Sequence, residues 1–248
     1  MITAIIQARM GATRLPGKVM RPLAGKPLIA HIVERLRFSR RITDIVLATT
    51  VSPADDVLQA WCEQNGILCV RGSEADVLGR YCKAANAVGA DVIARITADD
   101  PFKDPVITDL VVDCLLENGL AFASNNNPPS YPEGLDAEVF TYAALECAGK
   151  EAKDPFEREH VTQFFYRNPD RFPQRNIACD QGYPQYRWTI DTEADFQMAE
   201  AVYSSLYREG QIFLMNDIIG FLEENPLIAK MNIGEKRSAM YEGLSDES

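Results

Sequence analysis

Two histidines, and six cysteines with no C-x-x-C pair, leave this 248-residue chain poor in ligands for a transition metal. No His/Cys spacing fits a structural zinc site. The cysteines at 62, 69, 82, 114, 147 and 179 are scattered, and Cys82 and Cys114 fall inside apolar helical patterns, where a thiol acts as a small buried hydrophobe. Positive charge is also scarce: 25 Lys and Arg against 36 Asp and Glu give a net charge of −11. An acidic surface repels polyanions, which argues against nucleic acid or an anionic membrane as partner. No apolar run approaches the ~20 residues a membrane helix needs. No signal peptide is expected, since Ile2 to Ala8 is too short and runs straight into a basic loop, and neither an internal repeat nor a Walker-type phosphate loop is found in the sequence. The expectation is a reduced, cytoplasmic protein, with 46% hydrophobic residues, enough for a large core without disulfides.

Against that acidic background stands one basic stretch, Ile2-Thr-Ala-Ile-Ile-Gln-Ala-Arg-Met-Gly-Ala-Thr-Arg-Leu-Pro-Gly-Lys18. A strand-length apolar run, Ile2 to Ala8, gives way to a loop with two glycines, one proline and the cations Arg9, Arg14 and Lys18. Leu28, Ile29, Ile32, Val33 and Leu36 then recur at helical spacing. Strand, basic loop and helix is an arrangement that holds phosphate, since loop amides, fixed cations and a helix end converge on an anion. The other reading is a solvated surface loop.

The first half continues in β–α alternation. Ile45–Thr50, Ile67–Arg71, Asp91–Ile96 and Leu120–Ala123 read as strands. Ala54–Asn65, Ala75–Val88 and the run from Val106 to Leu115 read as helices, stopped by Gly66, Gly89 and Gly119. This pattern predicts an α/β fold with a mostly parallel central sheet and helices on both faces. Such sheets bind ligands beyond the carboxyl ends of their strands. Arg9 to Lys18, Arg71 to Asp76 and Thr97 to Asp104 all follow strands and should share one rim.

Past residue 124 the rhythm changes. Asn125–Pro132 reads as a loop, Asp136–Phe140 and Tyr186–Ile190 as strands, and Pro155–Tyr166 and Phe196–Tyr207 as helices. Residues 1–225 are expected to form one domain, with lid, acceptor or subunit-contact elements between about 125 and 185. A C-terminal tail, 226–248, is expected to be partly disordered or laid over a neighbour.

Two acidic constellations complement the basic loop. Thr97-Ala-Asp-Asp-Pro101 puts Asp99 and Asp100 directly after a buried strand, where one or two carboxylates plus phosphate oxygens hold Mg²⁺. Its plain alternative is a turn in which Asp100 or Asp104 caps the next helix. Arg187-Trp-Thr-Ile-Asp-Thr-Glu193 puts Asp191 at the end of a second strand, with an N-cap role for Asp191 or Thr192 as the alternative. Cations spread over a triphosphate would stabilise charge at the α-phosphorus and on leaving pyrophosphate. His31 lies in the first helix and Trp188 under Asp191, and both read as structural.

The opening segment Gln7-Ala-Arg-Met-Gly-Ala-Thr-Arg-Leu-Pro-Gly-Lys18 resembles the N-terminal signature of the cytidylyltransferases that activate acidic sugars, the acylneuraminate and 3-deoxy-manno-octulosonate group. The resemblance is closer to their SpsF-type branch. It continues in order through Arg71-Gly-Ser-Glu-Ala-Asp-Val-Leu-Gly-Arg80, Tyr131-Pro-Glu-Gly-Leu-Asp-Ala-Glu-Val-Phe140, Glu157-Arg-Glu-His-Val-Thr162 and Trp188-Thr-Ile-Asp-Thr192. It implies a single nucleotidyltransferase (Rossmann-like) domain, CTP as donor, an Mg²⁺ requirement and a homodimer. It places Ala8, Arg9, Met10, Gly11, Arg14 and Lys18 around the nucleotide, with Arg71, Gly72 and Asp76 beside base and ribose. It puts Asp99 and Asp191 on the metal, with Arg14, Lys18 and Asp99 catalytic. Asp136, Glu138, Arg158, Glu159 and His160 fall to the acceptor, although Glu157–His160 also reads as a solvated helix turn. Ala98 and Asp100 depart from the commoner Gly-Asp-Cys-Pro form, and Asp100 adds a charge that would compete for the metal or repel an acidic acceptor.

The expected reaction is transfer of CMP from CTP to an acidic sugar, or to a sugar or alditol phosphate, releasing pyrophosphate, for cell-surface polysaccharide or glycan synthesis. No general base stands out. Two other classes share the rim acids: a metal-dependent glycosyltransferase using a nucleotide-sugar, which would not need the Arg14/Lys18 cluster, and a non-catalytic nucleotide-binding subunit, which would have lost those charges.

Overall fold

The computed structural model describes residues 1–234. In chain order it comprises β1 (Ile2–Gln7), the short hairpin β2 (Pro22–Leu23) and β3 (Lys26–Pro27), α1 (Leu28–Leu36), β4 (Asp44–Thr50), α2 (Asp56–Asn65) and β5 (Leu68–Gly72). Next come α3 (Val77–Val88), β6 (Val92–Thr97), α4 (Pro105–Glu117), β7 (Phe122–Ser124), β8 (Glu138–Thr141) and α5 (Tyr142–Glu151). The described chain ends with α6 (Pro155–His160), α7 (Gln163–Tyr166), β9 (Gln174–Asn176), α8 (Glu193–Leu206), α9 (Met215–Glu224) and α10 (Pro226–Ala229).

Seven strands form one sheet in the order β5-β4-β1-β6-β8-β7-β9. β5, β4, β1 and β6 run parallel, β9 is parallel to β7, and β8 is antiparallel to both of its neighbours. The fold is therefore the mostly parallel α/β sheet that the alternation predicts. Alternation along β1 shows why both faces are covered. Ala4 and Ile6 join a cluster with Leu28, Ile32, Leu58, Phe196 and Val202 of α1, α2 and α8, whereas Ile5 joins Leu78, Tyr81, Ala144 and Leu145 of α3 and α5. Strands apolar on both faces can only be buried strands. Among the described residues no helix is long and apolar enough to cross a membrane.

Three expectations about the second half need correction. Tyr186–Ile190 is extended but makes only a single parallel bridge, Glu133 to Arg187, and so belongs to no strand of the sheet. Its backbone instead bonds Glu133 O through Trp188 N (2.7 Å) and Asp99 O through Ile190 N (2.8 Å). The helix expected over Pro155–Tyr166 is two helices broken at Val161, whose φ of 52° is costly for a β-branched residue. The break turns Val161 into the core and lets Thr162 Oγ1 donate to Glu138 Oε1 at 2.9 Å. Helices α5 and α9 and strand β9 were not legible from periodicity. Of the expected tail, residues 226–234 start as α10, and Asn232 is buried, donating to Arg187 O (2.8 Å) and Asp195 Oδ1 (2.9 Å). The remainder, 235–248, lies outside the described residues.

Candidate active site

The loops after β1, β5 and β6 leave the sheet on one rim. The loop after β1 closes on itself, with Gly17 N donating to Met10 O at 2.9 Å and Met10 N donating to Asp55 Oδ1 at 2.7 Å. Gly17 takes φ 73°, a left-handed conformation that glycine adopts at little cost. That turn aims Lys18 inward, where it is 6% exposed.

Lys18 Nζ donates to Asp99 Oδ2 (3.0 Å), Asp191 Oδ1 (2.8 Å) and Ile190 O (2.6 Å). One ammonium thus joins the ends of the loop, of β6 and of the extended segment. Burial alone would lower its pKa, but Asp99 and Asp191 outweigh burial and raise it above the ordinary lysine value. Burial likewise pushes Asp99 up, and Lys18 overrides it, holding the carboxyl below the usual range. Asp191 Oδ2 also meets Arg14 (2.7 Å) and Arg187 (2.7 Å).

Neither acid is a helix cap. Thr192 caps α8 in a capping box with Asp195, whose Oδ2 also accepts from Asp191 N at 3.0 Å. Asp104 caps α4. Asp100 accepts from Thr97 Oγ1 (2.7 Å) and from buried Lys103 Nζ (3.0 Å). Burial raises its pKa, with Lys103 opposing. Asp100 therefore has its counter-ion inside the protein, and its charge is largely neutralised before any ligand arrives.

Two open chambers flank this centre, of about 310 and 240 Å³. Arg9, Ala8, Glu74, Val77 and Arg80 line the first only; Asp100, Glu133, Gly134, Asp136, Glu138 and Thr189 line the second only. Arg14, Asp99, Asp191, Arg95, Thr97 and His160 stand on the wall between them and face both. Lys18 and Glu159 line the first chamber. Burial keeps the His160 pKa below the ordinary histidine value. Glu138 is paired with buried Arg95 and accepts from Thr162 and Tyr166.

Several expected residues are not brought to either chamber. Arg71 is turned onto Thr50 O (2.8 Å), Ser52 O (2.7 Å), Asp56 (2.7 Å) and Gln59 (2.9 Å), tying β5 to β4 and α2. Gly72 makes room for Arg80, whose Cγ would lie 2.8 Å from an added Cβ. Asp76 caps α3 and pairs with Arg158 (2.7 Å), and Arg158 also donates to Ala152 O at 2.9 Å. Met10 and Gly11 shape the loop without lining a chamber. Conversely, Arg80, Arg95 and Arg187 were missed. Each is a cation on an otherwise buried stretch, and that placement was the available signal.

Among the described residues no three His, Cys, Asp or Glu side chains are grouped to hold a metal. The donor set still fits a hard divalent ion, because Asp99 and Asp191 offer two carboxylates without thiolate or imidazole. Mg²⁺ takes one or two carboxylates and draws its other oxygens from water and phosphate.

A family profile described as cytidylyltransferase matches residues 3–233. The spore coat polysaccharide biosynthesis protein SpsF of Bacillus subtilis is 34% identical over 91% of this chain and 95% of its own length. The 3-deoxy-manno-octulosonate cytidylyltransferase of Geobacter sulfurreducens is 33% identical over 47% of this chain and 46% of its own. A solved cytidylyltransferase from Leptospira borgpetersenii superposes with a TM-score of 0.88 at 33% identity, covering 95% of this chain and 99% of that one. With a profile match over nearly its whole length and relatives of about one-third identity over more than nine-tenths of it, the chain belongs to the cytidylyltransferase family and is a nucleotidyltransferase.

Proposed function

We propose that this enzyme transfers CMP from CTP to an acidic sugar, or to a sugar or alditol phosphate, in a magnesium-dependent reaction that releases pyrophosphate, and that it serves cell-surface glycan synthesis. The observation that carries the reading is the shared wall: Asp99, Asp191 and Arg14 face both chambers, with Lys18 bonded to both acids. Two substrates in adjoining chambers can meet only there. Two relatives support a sugar acceptor, one named for spore coat polysaccharide biosynthesis and another for 3-deoxy-manno-octulosonate.

In this reading CTP occupies the chamber bounded by Arg9, Arg14 and Lys18, and the acceptor occupies the one bounded by Asp136, Glu138 and His160. Mg²⁺ held by Asp99 and Asp191 would supply charge stabilisation at the α-phosphate. The chain's own part is positional and electrostatic. Lys18, with its raised pKa, stays cationic throughout the working range and acts as a fixed charge, not as a proton acceptor. Arg14, half exposed on the wall, turns from Asp191 to the departing pyrophosphate. His160 stays neutral and hydrogen-bonds an acceptor hydroxyl. Arg158 is committed to Asp76, which leaves Arg14 and Arg95 as the cations facing the acceptor chamber. We take the enzyme to be a homodimer, which sedimentation would report as twice the chain mass.

The test is pyrophosphate release from CTP and Mg²⁺ with a panel of acidic sugars and sugar phosphates. Turnover with one acceptor, abolished by EDTA and by Asp99→Asn or Asp191→Asn with the fold intact, is the expected result. Tight CTP binding with no turnover on any member would overturn the reading.

A further inference from the structure

Gln7 closes β1, with Ala48 and Thr97 as its neighbours across the parallel ladder. It lies two residues beyond Ile5, so its side chain leaves the sheet on the face that packs against Tyr81 of α3. It lines both chambers and so belongs to the wall between them. Its Oε1 accepts from Tyr81 Oη at 3.2 Å. Tyr81 is fully buried, and burial raises its pKa, so the phenol keeps its proton. The other two oxygens near that proton, the carbonyls of Ile5 (3.2 Å) and Ile96 (3.4 Å), belong to the paired strands β1 and β6. Tyr81 therefore fixes which way the amide faces, with its oxygen toward the core and Nε2 away from it. Among the described residues no hydrogen bond uses Nε2. Its neighbours on the wall are already engaged: Thr97 Oγ1 donates to Asp100, Arg14 is paired with Asp191, and Arg95 with Glu138.

We propose that Gln7 is a catalytic residue of the transfer, its Nε2 donating a hydrogen bond to a nonbridging oxygen of the nucleotide's α-phosphate. This rests on the reading of the two chambers as donor and acceptor sites whose contents meet at the wall. Two kinds of oxygen come there, those of the α-phosphate and the attacking oxygen of the acceptor. A nonbridging phosphate oxygen only accepts, and it carries the charge of the reaction, so a fixed donor stabilises it. The attacking oxygen must give up its proton, and a donor held against it would weaken it as a nucleophile. An amide neither ionises nor moves a proton in the working range, and being uncharged it does not draw Asp99 or Asp191 away from a metal. Tyr81 is a positioning residue that acts through Gln7. Its bond orients the donor before substrate arrives, and such preorganisation is what makes a contact of this kind effective.

The experiment compares wild type, Gln7→Met, Tyr81→Phe and the double variant, each melted by circular dichroism, in steady-state kinetics with CTP, Mg²⁺ and the acceptor found by pyrophosphate release. Gln7→Met, of similar length and without a donor, should lower kcat about 100-fold while KM for CTP and for acceptor change by less than about threefold. Tyr81→Phe should lower kcat about tenfold and cause no further loss in the Gln7→Met background, since it acts only through Gln7. A near-native kcat in Gln7→Met, in a variant that melts cooperatively, would overturn the proposal, and so would a loss confined to KM. Independent effects of the two substitutions would overturn the role of Tyr81. A readout without turnover uses ¹⁵N-labelled enzyme: the Gln7 side-chain amide resonance, identified by its absence from Gln7→Met, should move with CMP and stay in place with cytidine. An unmoved resonance with CMP bound would overturn the contact even if kcat fell. Should wild type turn over no acceptor, the transfer reading falls, and that resonance still decides the contact.

Discussion

Lys18 Nζ stands 3.0 Å from Asp99 Oδ2 and 2.8 Å from Asp191 Oδ1, two acids that the sequence separates by ninety-two positions. One buried cation sets the spacing of the pair. Lys18→Met would leave Asp99 without its main partner and Ile190 O without a donor. Breaking a largely buried ion pair costs about 3 kcal/mol, and losing a fixed charge at the reacting phosphate costs about 10³ in kcat. Urea unfolding and steady-state kinetics measure the two separately. A variant with near-native kcat would remove Lys18 from the chemistry.

Gly134 adopts φ 102°, and an added Cβ would lie 2.8 Å from Thr189 N and 2.9 Å from Trp188 C. The extended segment leading to Asp191 is pressed against it. Gly134→Ala should therefore destabilise the protein by at least ~2 kcal/mol and lower kcat by displacing Asp191. Thermal melting with matched kinetics checks both, and an unaltered melting temperature would show that the segment yields freely.

Asn232 reaches from beyond α10 to Asp195 Oδ1 (2.9 Å), and Asp195 in turn holds Asp191 N (3.0 Å) and Thr192 N (2.9 Å). Asn232→Ala should cost ~1–2 kcal/mol and lower kcat about tenfold through misorientation of Asp191, with KM for CTP nearly unchanged. Rescue by Asn232→Asp is not expected, because it would set a carboxylate against Asp195. A change confined to KM would argue against a positioning role.

The two imidazoles fix a pH dependence. Burial lowers the pKa of His31, whose Nε2–H donates to Leu23 O at 2.6 Å, and burial lowers that of His160. Below 6.5 the unfolded chain binds protons that the folded one does not. Their contribution to stability is thus fully present above pH 6.5 and is lost as pH falls from there toward the folded values. Asp99 and Asp195, whose pKa values are depressed, add a further loss only below about pH 4. The urea midpoint should fall between pH 7 and pH 5, and His31→Gln should remove about half of that slope.

How far the sequence discloses such a site varies by residue. Ile2–Gln7 and Val92–Thr97 are apolar runs that a parallel sheet requires, so β1, β6 and the loops leaving them could be placed from pattern alone. Asp99 stands just past β6, and Lys18 ends the basic loop that leaves β1, so both were legible from their place after a strand. Tyr186–Ile190 has the composition of a strand but lacks a pairing partner beyond Glu133, and partners are tertiary facts. Arg158 looked available because its acceptors, Asp76 and Ala152 O, lie on other elements. Arg71 misled in the same way.

Arg14 is half exposed and holds Asp191 Oδ2 at 2.7 Å, while Arg187 holds the same oxygen from the protein side at 2.7 Å. Asp191 is thus held by two arginines of unlike standing, Arg187 enclosed by the protein and Arg14 open to solvent. In the proposed reaction Arg14 is the partner that would be released to the nucleotide's phosphates, and the oxygen it leaves would be one that a divalent ion could take, so nucleotide and ion should each strengthen the binding of the other.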